Sequence, residues 1–189
     1  LVHTQRWHGH VSLDSQLGVQ KLHISPTPRI GGIAIAAGLL TAYIIASGDT
    51  RILVGPMVLA GMPAFVAGLT EDFTKNVAVR VRLIATMASG VLAWAITGTA
   101  MQDTGLWGLD HLLRFTPAAV LFTAFVVSGV ANATNIIDGF NGLASGVVVI
   151  MLTAMGLIAL QLGDPELATA AFLLACVALG FVAVNWPLG

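Results

Sequence analysis

The chain has 189 residues, of which 57% are hydrophobic and 9% charged, with a mean hydropathy of +0.90. A soluble domain carries about 25% charged residues, so this composition cannot cover a water-facing surface and excludes an ordinary soluble protein. A net charge of −1 excludes the broad basic field expected of a nucleic-acid partner, and the single cysteine, Cys176, excludes an internal disulfide.

In chain order, residues 1–29 are polar and hold no apolar core of the kind a signal peptide needs. His3, His8 and His10 fall there, in a segment expected to be solvated. From residue 30 onward the ionisable groups partition the chain. No Asp, Glu, Lys or Arg occurs in 30–48, 52–70, 83–102, 115–137, 139–163 or 167–189. Each gap is about 19 to 25 residues long, the length a helix needs to cross roughly 30 Å of hydrocarbon. Backbone N–H and C=O groups cannot stay unpaired in lipid, so each gap is predicted to be helical. The helical cores are expected near 30–46, 52–69, 83–97, 117–131, 143–162 and 167–186. The fold class that follows is all-α: a polytopic integral membrane protein with about six transmembrane helices in one membrane domain over 1–189. Cys176 lies in the last apolar run and is expected to be a small buried hydrophobe. The segment 98–116 is expected to be an ordinary loop.

Six crossings return the chain to the side on which it starts. That side holds 1–29, the loop near 70–82 and the loop near 132–142, with Arg6, Lys21, Arg29, Lys75, Arg80 and Arg82. The other side has only Arg51 and Arg114. The excess of positive charge marks the first side as cytoplasmic. Trp94, Trp107 and Trp186 fall near span ends, as interfacial tryptophans do.

Three segments on the first side carry polar groups that need a reason. The first contains Lys21, His23, Pro26, Pro28, Arg29, Gly31 and Gly32. The prolines hold the approach extended. Free N–H groups at a helix start attract anions, and Gly31 and Gly32 let a ligand come close, while Lys21 and Arg29 add positive charge. A positive anchor with a small-residue packing site would look the same. The second contains Gly68, Leu69, Glu71, Asp72 and Lys75, followed by Arg80 and Arg82. Adjacent carboxylates repel, and a divalent cation such as Mg²⁺, its shell completed by phosphate oxygens, would relieve that. A solvated helix cap is the plainer alternative. The third contains Asn132, Asn135 and Asp138, then Gly139, Asn141 and Gly142. If the helix continues to Asp138, the three-residue spacing puts these polar groups on one side. Asp138-Gly139 and Asn141-Gly142 are turn formers. Three aligned polar side chains ending an apolar helix are costly unless partnered, which favours a functional role.

In this order the segments resemble the motifs of the polyprenyl-phosphate N-acetylhexosamine-1-phosphate transferases (glycosyltransferase family 4). That family includes the phospho-MurNAc-pentapeptide and undecaprenyl-phosphate GlcNAc-1-phosphate transferases. Gln20-Lys21-Leu22-His23 and Glu71-Asp72 with Thr74-Lys75 are closer to its O-antigen and lipid-carrier branch. The resemblance implies transfer of an N-acetylamino-sugar-1-phosphate from a UDP-sugar to a membrane polyprenyl (undecaprenyl) phosphate, releasing UMP. It implies Mg²⁺ or Mn²⁺ as cofactor and a bacterial inner membrane location with the active face cytoplasmic. By position it implies catalytic roles for Glu71, Asp72 and Asp138, and metal ligation by Asp72 and Asn135. Substrate contacts would come from Lys21, His23, Arg29, Gly31, Gly32, Lys75, Asn132, Asn135, Gly139 and Asn141. A homodimer is compatible with it.

This chain departs from the family in two residues: Glu71 stands where many members have Asp, and Asn141 where some have Asp. Beyond the motif at Asn185-Trp186 the family continues into a further acidic, glycine-rich motif. The 189 residues are therefore expected to be part of a longer enzyme, lacking its start and its last spans, and inactive alone. A membrane transporter and a non-catalytic membrane subunit are the competing readings. Transport usually needs ionisable groups or broken helices at mid-membrane, and here the charges sit at span ends.

Overall fold

The computed structural model describes residues 31–74, 76–138 and 142–186. Every regular element among them is a helix: α1 Gly31–Ile45, α2 Gly48–Ala60, α3 Met62–Thr74, α4 Val79–Thr97, α5 Trp107–Leu113, α6 Thr116–Ile137, α7 Leu143–Gln161 and α8 Pro165–Asn185. By length and composition, α4, α6, α7 and α8 can each cross a membrane. The pair α2 and α3 is apolar enough to count as one further span but is bent by 45°, as a broken span or a re-entrant loop would be, and α1 is a shorter apolar helix, so the described residues hold four or five spans by this measure where about six were expected. The all-helical membrane architecture expected from the charge-free runs is the one found.

Two elements differ from expectation. The single helix predicted over 52–69 is broken around Gly61. Pro63 has no N–H for the carbonyl one turn back, and its ring crowds that turn. The next N–H, that of Ala64, donates instead to Ser89 Oγ on α4 at 3.2 Å. The segment 98–116, expected as a loop, contains α5, too short a helix for periodicity to reveal. The segment is held by local bonds and by one to a neighbouring helix. Asp110 Oδ1 accepts from the N–H and hydroxyl of Thr104 at 2.7 and 2.6 Å, and the N–H of Met101 donates to Thr123 Oγ1 on α6 at 2.8 Å.

Helix ends are closed by local chemistry. Gly98, at φ +70°, ends α4 in the left-handed conformation that spares glycine a Cβ penalty. Asp164 caps α8 by accepting from the N–H of Leu167 at 2.9 Å, with Pro165 at the first helical position. Arg51 reaches back to the end of α1. It donates to the carbonyl oxygens of Ile44 and Tyr43 at 2.7 and 3.3 Å and lies over the Tyr43 ring.

The buried apolar residues are mostly alanines, among them Ala119, Ala124 and Ala168, whereas Ile150 and Phe125 are 70% and 67% exposed. Small residues inside and large ones outside invert the soluble pattern, because lipid solvates large apolar side chains and close helix packing needs small ones. Accordingly, a Cβ on Gly38 would fall 2.7 Å from Val177, and one on Gly156 2.6 Å from Phe172.

Contacts between helix ends set the polarity of the bundle. Gly31, at the start of α1, lies against Phe181 near the end of α8, and Gly142, just before α7, lies against Trp186. Glu71, near the end of α3, meets Arg82 near the start of α4. The end of α6 connects within a few residues to Gly142. One end of the bundle therefore gathers the start of α1, α4 and α7 and the end of α3, α6 and α8. This is the grouping that six crossings predict.

Candidate active site

At that end α3, α4 and α6 wall a cavity of about 160 Å³. Helix α3 contributes Ala64, Ala67, Gly68 and Glu71; α4 contributes Arg82, Leu83 and Thr86; α6 contributes Ala131, Asn132 and Asn135. Spacings of three and four put the α3 set on one helix face. Nothing lies within 4 Å of where a Gly68 Cβ would project. The missing side chain keeps that part of the wall open.

The α4–α6 wall is built in register. A Cβ on Gly90 would fall 2.6 Å from Ala124 Cα, so the helices touch there backbone to backbone. One turn toward the cavity, Thr86 Oγ1 and Ser128 Oγ are 2.8 Å apart. One turn further, Arg82 and Asn132 both line the cavity. Each step moves four residues back along α4 and four forward along α6, as antiparallel helices require.

Arg82 Nη1 donates to Glu71 Oε1 at 2.7 Å and to Oε2 at 3.0 Å. The side chains are 26% and 29% exposed, so the pair is partly desolvated but still in reach of water. Asn132 is half-buried and Asn135 exposed. Helix α6 ends at Ile137 with Asp138 as its C-cap at φ −76° and ψ 54°, one residue short of the continuation through Asp138 that the shared polar face assumed. Asp72 is half-buried beside Glu71, and Asp138 lies one turn beyond Asn135. The structure thus joins Glu71, Asn132 and Asn135 at one cavity, while Asp72, next to Glu71 in the chain, and Asp138, one turn beyond Asn135, are not among its lining residues.

Gly31 makes its close approach to the Phe181 ring, at 2.8 Å from a would-be Cβ, while Gly32 has open space. Lys21, His23, Arg29, Lys75, Gly139 and Asn141 lie outside the described residues, as does the cluster of His3, His8 and His10. Among the described residues no three His, Cys, Asp or Glu side chains stand close enough to hold a metal ion between them.

Sequence reading treated Arg82 only as a charge and passed over Thr86, Ser89 and Ser128. A signal was present. Arg82 and Thr86 are four apart, and Ser128, Asn132 and Asn135 follow at four and three, so both sets line up as helical stripes of polar groups.

A helical membrane protein with a carboxylate, guanidinium and amide cavity at one end is the class so defined. The chain belongs to glycosyl transferase family 4, whose model matches residues 54–189. It is 25% identical over 175 residues to the undecaprenyl-phosphate alpha-N-acetylglucosaminyl 1-phosphate transferase of Yersinia pestis, covering 93% of this chain and 47% of that protein. It is 32% identical over 172 residues to the phospho-N-acetylmuramoyl-pentapeptide-transferase of a Synechococcus species, covering 84% and 48%. It is 28% identical over 156 residues to the decaprenyl-phosphate N-acetylglucosaminephosphotransferase of Mycobacterium leprae, covering 75% and 37%. The chain therefore spans about half the length, or less, of these curated relatives. No solved structure matches it significantly.

Proposed function

We propose that the chain belongs to an enzyme that transfers an N-acetylamino-sugar-1-phosphate from a UDP-sugar to polyprenyl phosphate, of the undecaprenyl type, releasing UMP. The reading rests chiefly on the cavity where the acidic segment of α3 meets the amide segment of α6. In the reaction, a phosphate oxygen of the lipid attacks the sugar-bearing phosphorus. A new P–O–P bond forms, and the bond to the bridging oxygen breaks, so that oxygen leaves with UMP. Asp72 and Asp138 carry the negative charge beside the cavity that would hold Mg²⁺ or Mn²⁺, with Asn135 as an oxygen ligand and the diphosphate supplying the rest. Bound there, the ion would offset charge on the leaving phosphate. Asn132 and Asn135 offer amide groups to the nucleotide sugar, and Arg82 holds Glu71 at the cavity wall. We place this face at the cytoplasmic side of a bacterial inner membrane, on the balance of Lys and Arg between the two sides. The O-antigen branch is the pathway we favour, from the Glu71-Asp72 variant of the acidic pair.

The broken span α2–α3 is the feature that would suit a transporter. However, the Ala64 N–H exposed by the break is taken up by Ser89, which leaves it unavailable to a solute. The test is the full-length protein in a lipid extract with labelled UDP-N-acetylglucosamine and Mg²⁺. Label should pass to lipid, stop on chelation, and stop with Asp72→Asn or Asp138→Asn. Unchanged transfer in both variants would overturn the site assignment.

A further inference from the structure

We propose that Ser128, together with Thr86, positions the cavity: their side-chain hydrogen bond braces α6 against α4 and so sets Asn132 and Asn135 at their distance from Glu71 and Arg82. The catalytic consequence rests on the transferase reading above; the geometry does not.

Ser128 is 1% exposed in the middle of an apolar helix. A hydroxyl there needs a partner, and both of its partners are on α4. It pairs with Thr86 Oγ1 at 2.8 Å and donates to the carbonyl oxygen of Leu83 at 3.3 Å. It sits on the α6 stripe that continues into Asn132 and Asn135, yet it does not line the cavity. Thr86 does line it, one turn from Arg82. Below the brace, Gly90 and Ala124 are already in contact and cannot move closer. The backbone contact is thus a pivot. The Thr86–Ser128 bond, one turn nearer the cavity, opposes spreading about it.

The two hydroxyls are not equivalent. Thr86 can fall back on the carbonyl oxygens of Arg82 and Leu83, at 3.0 and 2.9 Å within its own helix. Ser128 can fall back only on Leu83, across the interface. Thr86→Val therefore removes one bond between the helices, while Ser128→Ala removes both. Neither leaves a buried polar side chain without a partner, so both variants fold.

The experiment uses the full-length protein in a background with every native cysteine, Cys176 included, replaced by alanine, spin-labelled through cysteines introduced at Arg80 and Ile136, two exposed positions at the cavity ends of α4 and α6. The parent is expected to give one narrow distance distribution. Ser128→Ala should broaden or shift it, Thr86→Val should do so less, Thr86→Ser should restore it, and the double variant should match Ser128→Ala. In unlabelled protein, Ser128→Ala should lower kcat roughly tenfold or more, with little change in KM for UDP-N-acetylglucosamine, since the groups stay present but misplaced. An unchanged distance distribution in Ser128→Ala would overturn the brace. A shifted distribution with unchanged kcat in an active parent would overturn its positioning role. If the parent itself turns over no UDP-sugar, the transferase reading fails, and the distance measurement alone decides whether the brace exists.

Discussion

Arg82 spans both carboxylate oxygens of Glu71 through a single nitrogen, at 2.7 and 3.0 Å, joining the end of α3 to the start of α4. Because the pair is about a quarter exposed, water screens it, and its coupling should be near that of surface pairs, about 1 kcal/mol. A cycle of Glu71→Gln, Arg82→Gln and the double variant, followed by unfolding in detergent, should show this coupling. Strictly additive losses would mean that the contact ties nothing together.

Gly68 faces open cavity, so its replacements should separate stability from function. Gly68→Ala should raise stability by about 0.5–1 kcal/mol, as expected for removing glycine from a helix interior. Gly68→Leu should fold and yet abolish UDP-sugar turnover by filling the space. Wild-type turnover in a folded Gly68→Leu variant would place the substrate elsewhere.

Gly90 gives the opposite case. A Cβ there would lie 2.6 Å from Ala124 Cα, a backbone atom that cannot swing away. Gly90→Ala should therefore destabilise by about 1–3 kcal/mol despite alanine's better helix propensity. A raised unfolding midpoint would show that α4 and α6 separate easily.

Asp110 titrates at the far end of the bundle. The hydroxyl and N–H of Thr104 hold its carboxyl below the usual range, because both donate to the charged form. The folded value lies below the unfolded one, so the bonus is complete above about pH 4 and is lost as pH falls through the folded value. The unfolding midpoint of wild type relative to Asp110→Asn should be constant near neutrality and converge in acid. A gap that persists at low pH would show that the carboxylate charge is not what holds α5.

Much of this architecture was legible because lipid imposes a simple rule on sequence. A charge costs too much in hydrocarbon, so the gaps from Arg29 to Asp49, Arg51 to Glu71, Arg82 to Asp103, Arg114 to Asp138, Asp138 to Asp164 and beyond Glu166 reveal the apolar helices one at a time. Motif order and helix parity then group the acidic and amide segments, which do meet at one cavity. The kink at Gly61 was within reach, since Pro63 stands inside an apolar run. The partner of Glu71 was not. Arg80 and Arg82 both follow the same loop, and only packing selects Arg82.

What residue order settled alone was the helical membrane class, the approximate helices, and which helix ends gather at one end of the bundle. Each of these follows from local hydrophobicity and from counting crossings. Tertiary structure decided the rest: which guanidinium meets Glu71, that Ser89 takes the N–H freed at the break, and that α4 and α6 lock with Gly90 on Ala124 and Thr86 on Ser128. Those depend on how two helix surfaces interlock, and a rotation of one helix that leaves its hydrophobicity unchanged would pair a different set of side chains.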